Sequence, residues 1–359
     1  MLIYNIILIV MVFLVIIFSI SYKKISWVSK DFLPIVVMLS LSMVSGLRDY
    51  SVGIDTRIYV ERYSSIGNAD WMDLFYISDY YKFEYGFSAI CKMLYLLDDD
   101  YTLFLFFTSL WISFFYYICI KKYSMYPLLS VLIFYCWGFW TSSMNIIRQM
   151  MVIPLLYISI EKALDRDFKK FLLMIIIASF IHTSALIFIP IYFLVKIKID
   201  IKFIWMTICF TLLVVFLGND ILSSLLANTG YSIYFHSYQT SSGLNTLIFL
   251  IVVLVLSFIL RKRLEIIDKN INVWILFIMI SIISTSMAMQ IGPIERITKI
   301  FITSIMFLFA DFYLLTKKYN CGFLSLIILI LMLTYYYNGI IMDSVHSSSG
   351  TIPYETWLK

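Results

Sequence analysis

Charge is scarce in this sequence: 14% of its 359 residues are charged while 62% are apolar, and the mean hydropathy is +0.93. A soluble domain carries about a quarter of its residues as Asp, Glu, Lys or Arg, so that class is excluded. Cysteine is scarce too. Cys91, Cys119, Cys136, Cys209 and Cys321 are scattered through apolar segments with no CxxC spacing, and they read as small core residues rather than disulfide partners or metal ligands. Histidine is limited to His182, His236 and His346, too few and too far apart for an HExxH-type site. Neither a Walker A sequence nor a Rossmann glycine fingerprint occurs, so ATP and NAD chemistry are not expected, and no cofactor or metal is assigned. Internal repeats and low-complexity tracts are absent as well.

What is present is a succession of apolar runs. A helix crosses a bilayer with about 20 apolar residues, and backbone groups in lipid must be satisfied within the protein. Runs at roughly 2–20, 32–47, 84–97, 101–120, 126–141, 145–163, 169–195, 203–217, 244–260, 272–291, 297–315 and 322–338 predict an all-α polytopic integral membrane protein. The count is about ten to twelve transmembrane or re-entrant helices, in a single transmembrane domain over 1–359. The first run lacks a basic leader and a small-residue cleavage site, and Lys23 and Lys24 follow it, so it reads as a retained helix. The 27 Lys and Arg exceed the 22 Asp and Glu by five, an excess that reports topology here rather than nucleic-acid binding. Six basic clusters, Lys23 to Lys30, Lys121 with Lys122, Lys162 to Lys170, Lys196 to Lys202, Arg261 to Lys269, and Lys317 with Lys318, belong in the cytoplasm. That threading leaves 84–97 short for a span and gives 168–195 basic residues at both ends. A broken or re-entrant helix pair over 168–195, turning near His182, satisfies those charges; a single long helix would mean that one cluster is misplaced. The stretch from Gly218 to Gly243 holds no Lys or Arg and reads as external.

The remaining charge is concentrated. Arg48 to Glu84 holds eleven charged residues, within an outward-facing polar island over 48–100. Arg48 closes the second apolar run, Gly53 permits a tight turn, and Asp55 and Thr56 can cap the next helix; Arg48 reads equally as an interfacial anchor. Arg148 opens an apolar helix, where an arginine costs at least about 2.5 kcal/mol and must face a partner or a wet cavity. Its fork suits a phosphate, and an ion pair with Asp55 or Glu84 is the structural alternative. His182 either packs between helices or lines a cavity at a break. Glu295 and Arg296 form another outward pair, explained as well by a local salt bridge or helix-end anchoring. Tyr59, Trp71, Trp137 and Trp140 can stack on sugar rings or form an aromatic belt.

Gly46-Leu47-Arg48, Val52-Gly53-Ile54-Asp55-Thr56-x-x-Tyr59, Glu84-Tyr85-Gly86-Phe87, Asn145-Ile146-Ile147-Arg148-Gln149 and Phe180-Ile181-His182-Thr183-Ser184-Ala185-Leu186, in that order, resemble the EpsG family of membrane proteins. The likeness covers residues 40–200, with Glu295-Arg296 and Ile352-Pro353-Tyr354 as fainter matches beyond. It implies a role similar to that of the Wzy-type polymerases of O-antigen, capsule and exopolysaccharide synthesis. Such a membrane glycosyltransferase, in the bacterial cytoplasmic membrane, moves a growing glycan from undecaprenyl pyrophosphate onto the next lipid-linked repeat at the outer face. A chain-length regulator is a further candidate partner beside that substrate and the membrane lipid. Under this implication Arg48, Arg148 and Arg296 bind pyrophosphate, with Asn145, Gln149, Thr56 and Tyr59 as further substrate-binding candidates. His182, Asp55 or Glu84 accepts the proton of the attacking hydroxyl, and His182 ranks first because neutral imidazole works near pH 7 and is cheaper to bury than a carboxylate. Three alternatives stay open. An O-antigen ligase uses the same donor, a flippase of lipid-linked oligosaccharide should carry charges through both leaflets, and a membrane O-acetyltransferase should carry inward-facing signature residues.

Overall fold

Length and hydropathy decide which helices can cross a bilayer. The computed structural model describes residues 1–21, 27–226, 242–319, 322–346 and 350–357; Lys23, Lys24, His236 and Cys321 lie outside them, as does most of the stretch from Gly218 to Gly243. Helix accounts for 79% of the chain and no strand forms among the described residues, so the protein is an all-α polytopic membrane protein. Among the described residues three helices are long and apolar enough to cross a membrane: Tyr101–Tyr123, Ile201–Gly218 and Ile271–Ala288. Two bent pairs raise that number to five, and five shorter apolar helices accompany them. The expected runs at 84–97 and 145–163 are not among these segments, and the run at 169–195 is represented only by 183–194.

The chain divides into two compact units, 1–192 with 319–359, and 193–318. The first contains α1 (Leu2–Ser21), α2 (Trp27–Gly46), α3 (Thr56–Asn68), α4 (Leu74–Tyr81), α5 (Tyr85–Tyr95), α6 (Tyr101–Tyr123), α7 (Pro127–Cys136), α8 (Phe139–Asn145), α9 (Ile147–Leu164) and α10 (Phe168–Ser179). A 3₁₀ helix (Thr183–Phe188) follows, α11 (Ile191–Leu194) carries the boundary, and α18 (Gly322–His346) returns to this unit.

The long helix α6 organises it. The Asp100 side chain caps it by accepting from the Thr102 N–H at 2.9 Å, and Lys121 and Lys122 occupy its last turn, where cations suit the helix dipole. At 1.5 Å per residue it is about 34 Å long, enough for a hydrocarbon core of about 30 Å. α9 runs parallel to it in fixed register: Trp111 Nε1 donates to the Met151 carbonyl at 3.3 Å, and the Tyr123 hydroxyl to that of Tyr157 at 3.0 Å. Ion pairs then gather at one end, Lys122 with Glu161 and Lys121 with Asp31 at 3.0 Å. α2 also lies along α6, and Gly46 makes the approach close, since a Cβ there would sit 2.9 Å from the Phe106 ring and 3.0 Å from its Cα.

Two expected single helices are broken. The 126–141 run becomes α7 and α8, bent by 55°, because Gly138 adopts φ +72° between them. The 297–315 run becomes α16 (Glu295–Ile302) and α17 (Ile305–Lys318), bent by 43° at a turn through Thr303 and Ser304. The polar island is itself largely helical: α3 and α4 lie within it, and α5, eleven residues long, spans only about 16 Å and is too short to cross.

The tail forms a strap in this unit. Asp343 accepts from the Gly350 N–H, the Thr351 N–H and the Thr351 hydroxyl at 2.7–3.0 Å. Beyond that turn the strap joins the segment after α2: Gly53 N–H donates to the Gly350 carbonyl at 2.8 Å, Asp49 N–H to that of Glu355 at 3.0 Å, and the Tyr354 hydroxyl to that of Val44 at 2.6 Å.

The second unit contains α12 (Ile201–Leu226), α13 (Ser242–Ile259), α14 (Arg261–Leu264), α15 (Ile271–Ala288), a 3₁₀ turn (Gly292–Ile294), α16 (Glu295–Ile302) and α17 (Ile305–Lys318). α15 is its core element, packed against α12, α13 and α16. Asp268 anchors its start by accepting from Trp274 Nε1 at 2.6 Å.

Candidate active site

Four separated sequence segments meet at one end of the first unit. α4 ends at Lys82, which adopts the left-handed conformation at φ 56° and turns the chain so that Phe83 goes into the core and Glu84 faces the start of α9. Gly86 then brings α5 against the end of α10: a Cβ there would lie 2.6 Å from the Phe180 carbonyl oxygen and 2.7 Å from its Cβ. The Phe87 N–H donates to that carbonyl at 3.1 Å. α10 stops at Ser179, and His182 is extended at φ −155° before the 3₁₀ turn begins. Glu84 and His182 are thereby placed face to face although 98 residues separate them.

Glu84 is the hub. Its Oε2 pairs with Arg148 Nη1, and its Oε1 meets His182 Nδ1 at 2.8 Å. The same Oε1 accepts from the Thr183 N–H at 2.9 Å and the Thr183 hydroxyl at 3.1 Å. Arg148 also donates to the Lys82 carbonyl at 3.1 Å, and its guanidinium lies 4.4 Å from the centre of the Phe83 ring and 5.9 Å from those of Tyr59 and Phe87. The side chains of Glu84, His182 and Arg148 are 11, 14 and 15% exposed, so solvent reaches all three. Burial by itself would raise the Glu84 pKa, but the bond to His182, the Arg148 charge and the Thr183 N–H outweigh it and hold the carboxyl at about 2. An ionised Glu84 can only accept, so the His182 Nδ1 donates to it; in a neutral imidazole that places the lone pair on Nε2.

This arrangement revises several expectations. Glu84, its carboxyl held well below the ordinary range, joins Arg148 and His182 through its two oxygens. Asp55 precedes α3 without capping it through its side chain; its N–H donates to Asn145 Oδ1 at 3.4 Å. Thr56 opens α3 instead, and its hydroxyl donates to the Met144 carbonyl at 2.7 Å. Gly53 sits in this turn at φ +100°, where a Cβ would fall 2.6 Å from the Thr56 hydroxyl and 2.9 Å from the Met144 carbonyl. The α3 entrance is thus locked onto the segment just before Arg148. Asn145 Nδ2 and Arg148 Nε are buried without an acceptor among the described residues, whereas Gln149 is packed in the core.

Arg48 sits elsewhere in this unit. It is fully buried, bonded through Nη1 to the Ser45 carbonyl and to the Ser109 hydroxyl at 3.3 Å, and paired by a backbone bridge with Thr356 of the strap. It is therefore no exposed interfacial anchor. Burial pulls its pKa down to about 10, which leaves it cationic at neutral pH. Arg296 lies exposed on the first turn of α16, in the second unit. Trp137 stacks on Tyr335 with ring centres 4.0 Å apart and Trp140 donates to the Leu41 carbonyl, so both are core residues; Trp71 is exposed. Thr183 and Phe87 stand in the quoted motifs without an assigned role, and Lys82 and Phe83 were not singled out by sequence reasoning. The signal for all four was a place within three residues of Glu84 or His182. Among the described residues no three His, Cys, Asp or Glu side chains gather as metal ligands.

The motifs that converge here belong to one family model. The EpsG family model matches residues 30–356, nearly the whole chain. Comparison with curated proteins and with solved structures gives no match. With a match of that extent over an all-α membrane fold, the chain belongs to the EpsG family, whose members are membrane proteins of the polysaccharide-polymerase type.

Proposed function

We propose that this protein transfers a growing glycan from an undecaprenyl-pyrophosphate carrier onto the next lipid-linked repeat at the outer face of the bacterial cytoplasmic membrane. The observation that carries the reading is the Glu84 carboxylate bridging Arg148 and His182. Glycosyl transfer from a pyrophosphate needs a base for the incoming hydroxyl and a cation for the departing anion, held in fixed relation. The acceptor hydroxyl gives its proton to His182 Nε2 while its oxygen bonds the anomeric carbon. The bond from that carbon to the pyrophosphate oxygen breaks, its electron pair leaves with the lipid pyrophosphate, and Arg148 neutralises the charge that develops. Glu84 does for His182 what the carboxylate of a hydrolase triad does for its histidine: it sets the tautomer and stabilises the protonated ring. Asn145 Nδ2, unsatisfied and three residues before Arg148 across the break at Ile146, is a second donor for the phosphate.

Deleting the gene and separating the surface polysaccharide on a gel tests the reading. A ladder collapsed to a core with a single repeat is expected, and His182→Gln should reproduce it with the protein still in the membrane, at a cost of about 10²–10⁴ in rate. Loss of every repeat would point to a ligase or flippase, and an unchanged ladder to a modifying enzyme; either result sinks the polymerase.

A further inference from the structure

α4 shows its neighbours only one narrow face. Leu74 and Ser78, one helical turn apart, are buried, whereas Phe75, Tyr76 and Tyr80 on the rest of its circumference are 72, 74 and 69% exposed. Trp71 just before the helix and Tyr85 just after it are exposed too, and the Tyr85 ring meets that of Phe75 with centres 6.1 Å apart. An aromatic face about 12 Å long thus runs from the residue next to Glu84 along the helix that delivers Lys82 to Arg148.

Charge decides what such a face receives. A helix that lies on a membrane carries Lys and Arg on its polar side. Asp70, Asp73 and Asp79 are the exposed carboxylates here; of the two cations, Lys82 is paired with Asp79 at 3.2 Å and the half-buried Arg62 is bonded to the Tyr81 carbonyl at 3.0 Å. Carboxylates repel an anionic leaflet but accept hydrogen bonds from hydroxyls, and aromatic rings with polar tips present a flat apolar surface with a wet edge. Rings and carboxylates side by side suit a neutral, many-hydroxyl ligand.

We propose that the outer face of α4, with Trp71, Phe75, Tyr76, Tyr80 and Tyr85, is a docking platform for the glycan portion of the chain being extended. The proposal rests on the polymerase reading above. Because the platform begins beside Glu84, a glycan held on it stays next to the reacting group between additions, and chain length then depends on its grip.

The test is Phe75→Ala/Tyr76→Ala/Tyr80→Ala, three substitutions at exposed positions outside the Glu84 group. In cells the modal chain length should fall several-fold while the first joining of two repeats continues. Polysaccharide from wild-type cells, freed of lipid by mild acid, should bind the purified variant in nanodiscs about tenfold more weakly than the wild-type protein. Tyr76→Cys, in a Cys209→Ser background, should react in intact cells with a membrane-impermeant maleimide. Unchanged chain length, undiminished glycan binding, or an introduced thiol shielded as though seated in lipid each overturns the platform. If the gene deletion itself leaves the polysaccharide unaltered, the polymerase reading has failed, and that result is independent of the α4 variant.

Discussion

Arg148 and Glu84 share a problem common to buried ions: each is tolerable only while the other is present. Arg148 has several donors, so pairing with Glu84 leaves nitrogen atoms for a phosphate; lysine has a single charged nitrogen, and pairing would consume it. Arg148→Ala and Arg148→Lys are therefore both expected to lower polymerisation, by about 10²–10³, with the protein still inserted. Polysaccharide gels with membrane immunoblots measure this, and a fully active lysine variant would show that the fork is unnecessary. Glu84 carries a second prediction. Its pKa falls from an ordinary 4.5 to about 2 in the folded protein, so the stability it contributes is complete above 4.5 and is lost as pH drops towards 2. The melting temperature of the detergent-solubilised protein should fall across that window, and Glu84→Gln should flatten the fall without changing the curve's shape near neutrality. An equally steep acid limb in the variant would assign the acid sensitivity to other carboxylates.

Elements bring these residues together through close backbone approaches, and glycine decides two of them. Gly86→Ala places a methyl group against the Phe180 carbonyl, which belongs to backbone and cannot swing aside. The expected cost is about 1–3 kcal/mol, with α5 pushed off the break and His182 drawn from Glu84. Loss of activity together with a lower melting temperature would match this; a wild-type profile would mean that α5 and α10 are more compliant than the contact implies. The basic residues at both ends of 168–195 raise the expectation of a turn near His182; within that segment α10 ends at Ser179 and His182 is extended before the 3₁₀ turn. By contrast, the bends at Gly138 and at Thr303–Ser304 lie inside segments that hydropathy reads as single runs. Hydropathy sums side chains and is blind to a backbone that turns while remaining apolar. The helices α3 and α4 were hidden for the opposite reason: the charge of the segment that holds them made it read as an extramembrane stretch without showing that it is helical.

On the scale of the molecule, the strap links the chain's last residues to the site. It holds Gly53 and Asp49, Gly53 is packed on Thr56 and Met144, and Asn145 and Arg148 follow across the break between α8 and α9. Truncation after residue 349 removes these bonds, each worth about 1 kcal/mol, and uncovers the buried Arg48. A lower melting temperature and reduced polymerisation are expected, and restoring 350–357 should recover both; indifference to truncation would make the strap ornamental. The sequence by itself determined the class of the protein, because the cost of exposing apolar surface or burying charge depends on composition alone. It also marked Arg148, His182 and Glu84, since ions and imidazoles in apolar surroundings need a reason to be there. Only the tertiary structure decided that Glu84 joins Arg148 to His182 and that Arg48 lies beneath the strap. Partner choice depends on which helix ends meet, and residues 64 and 98 positions apart carry no local record of that meeting.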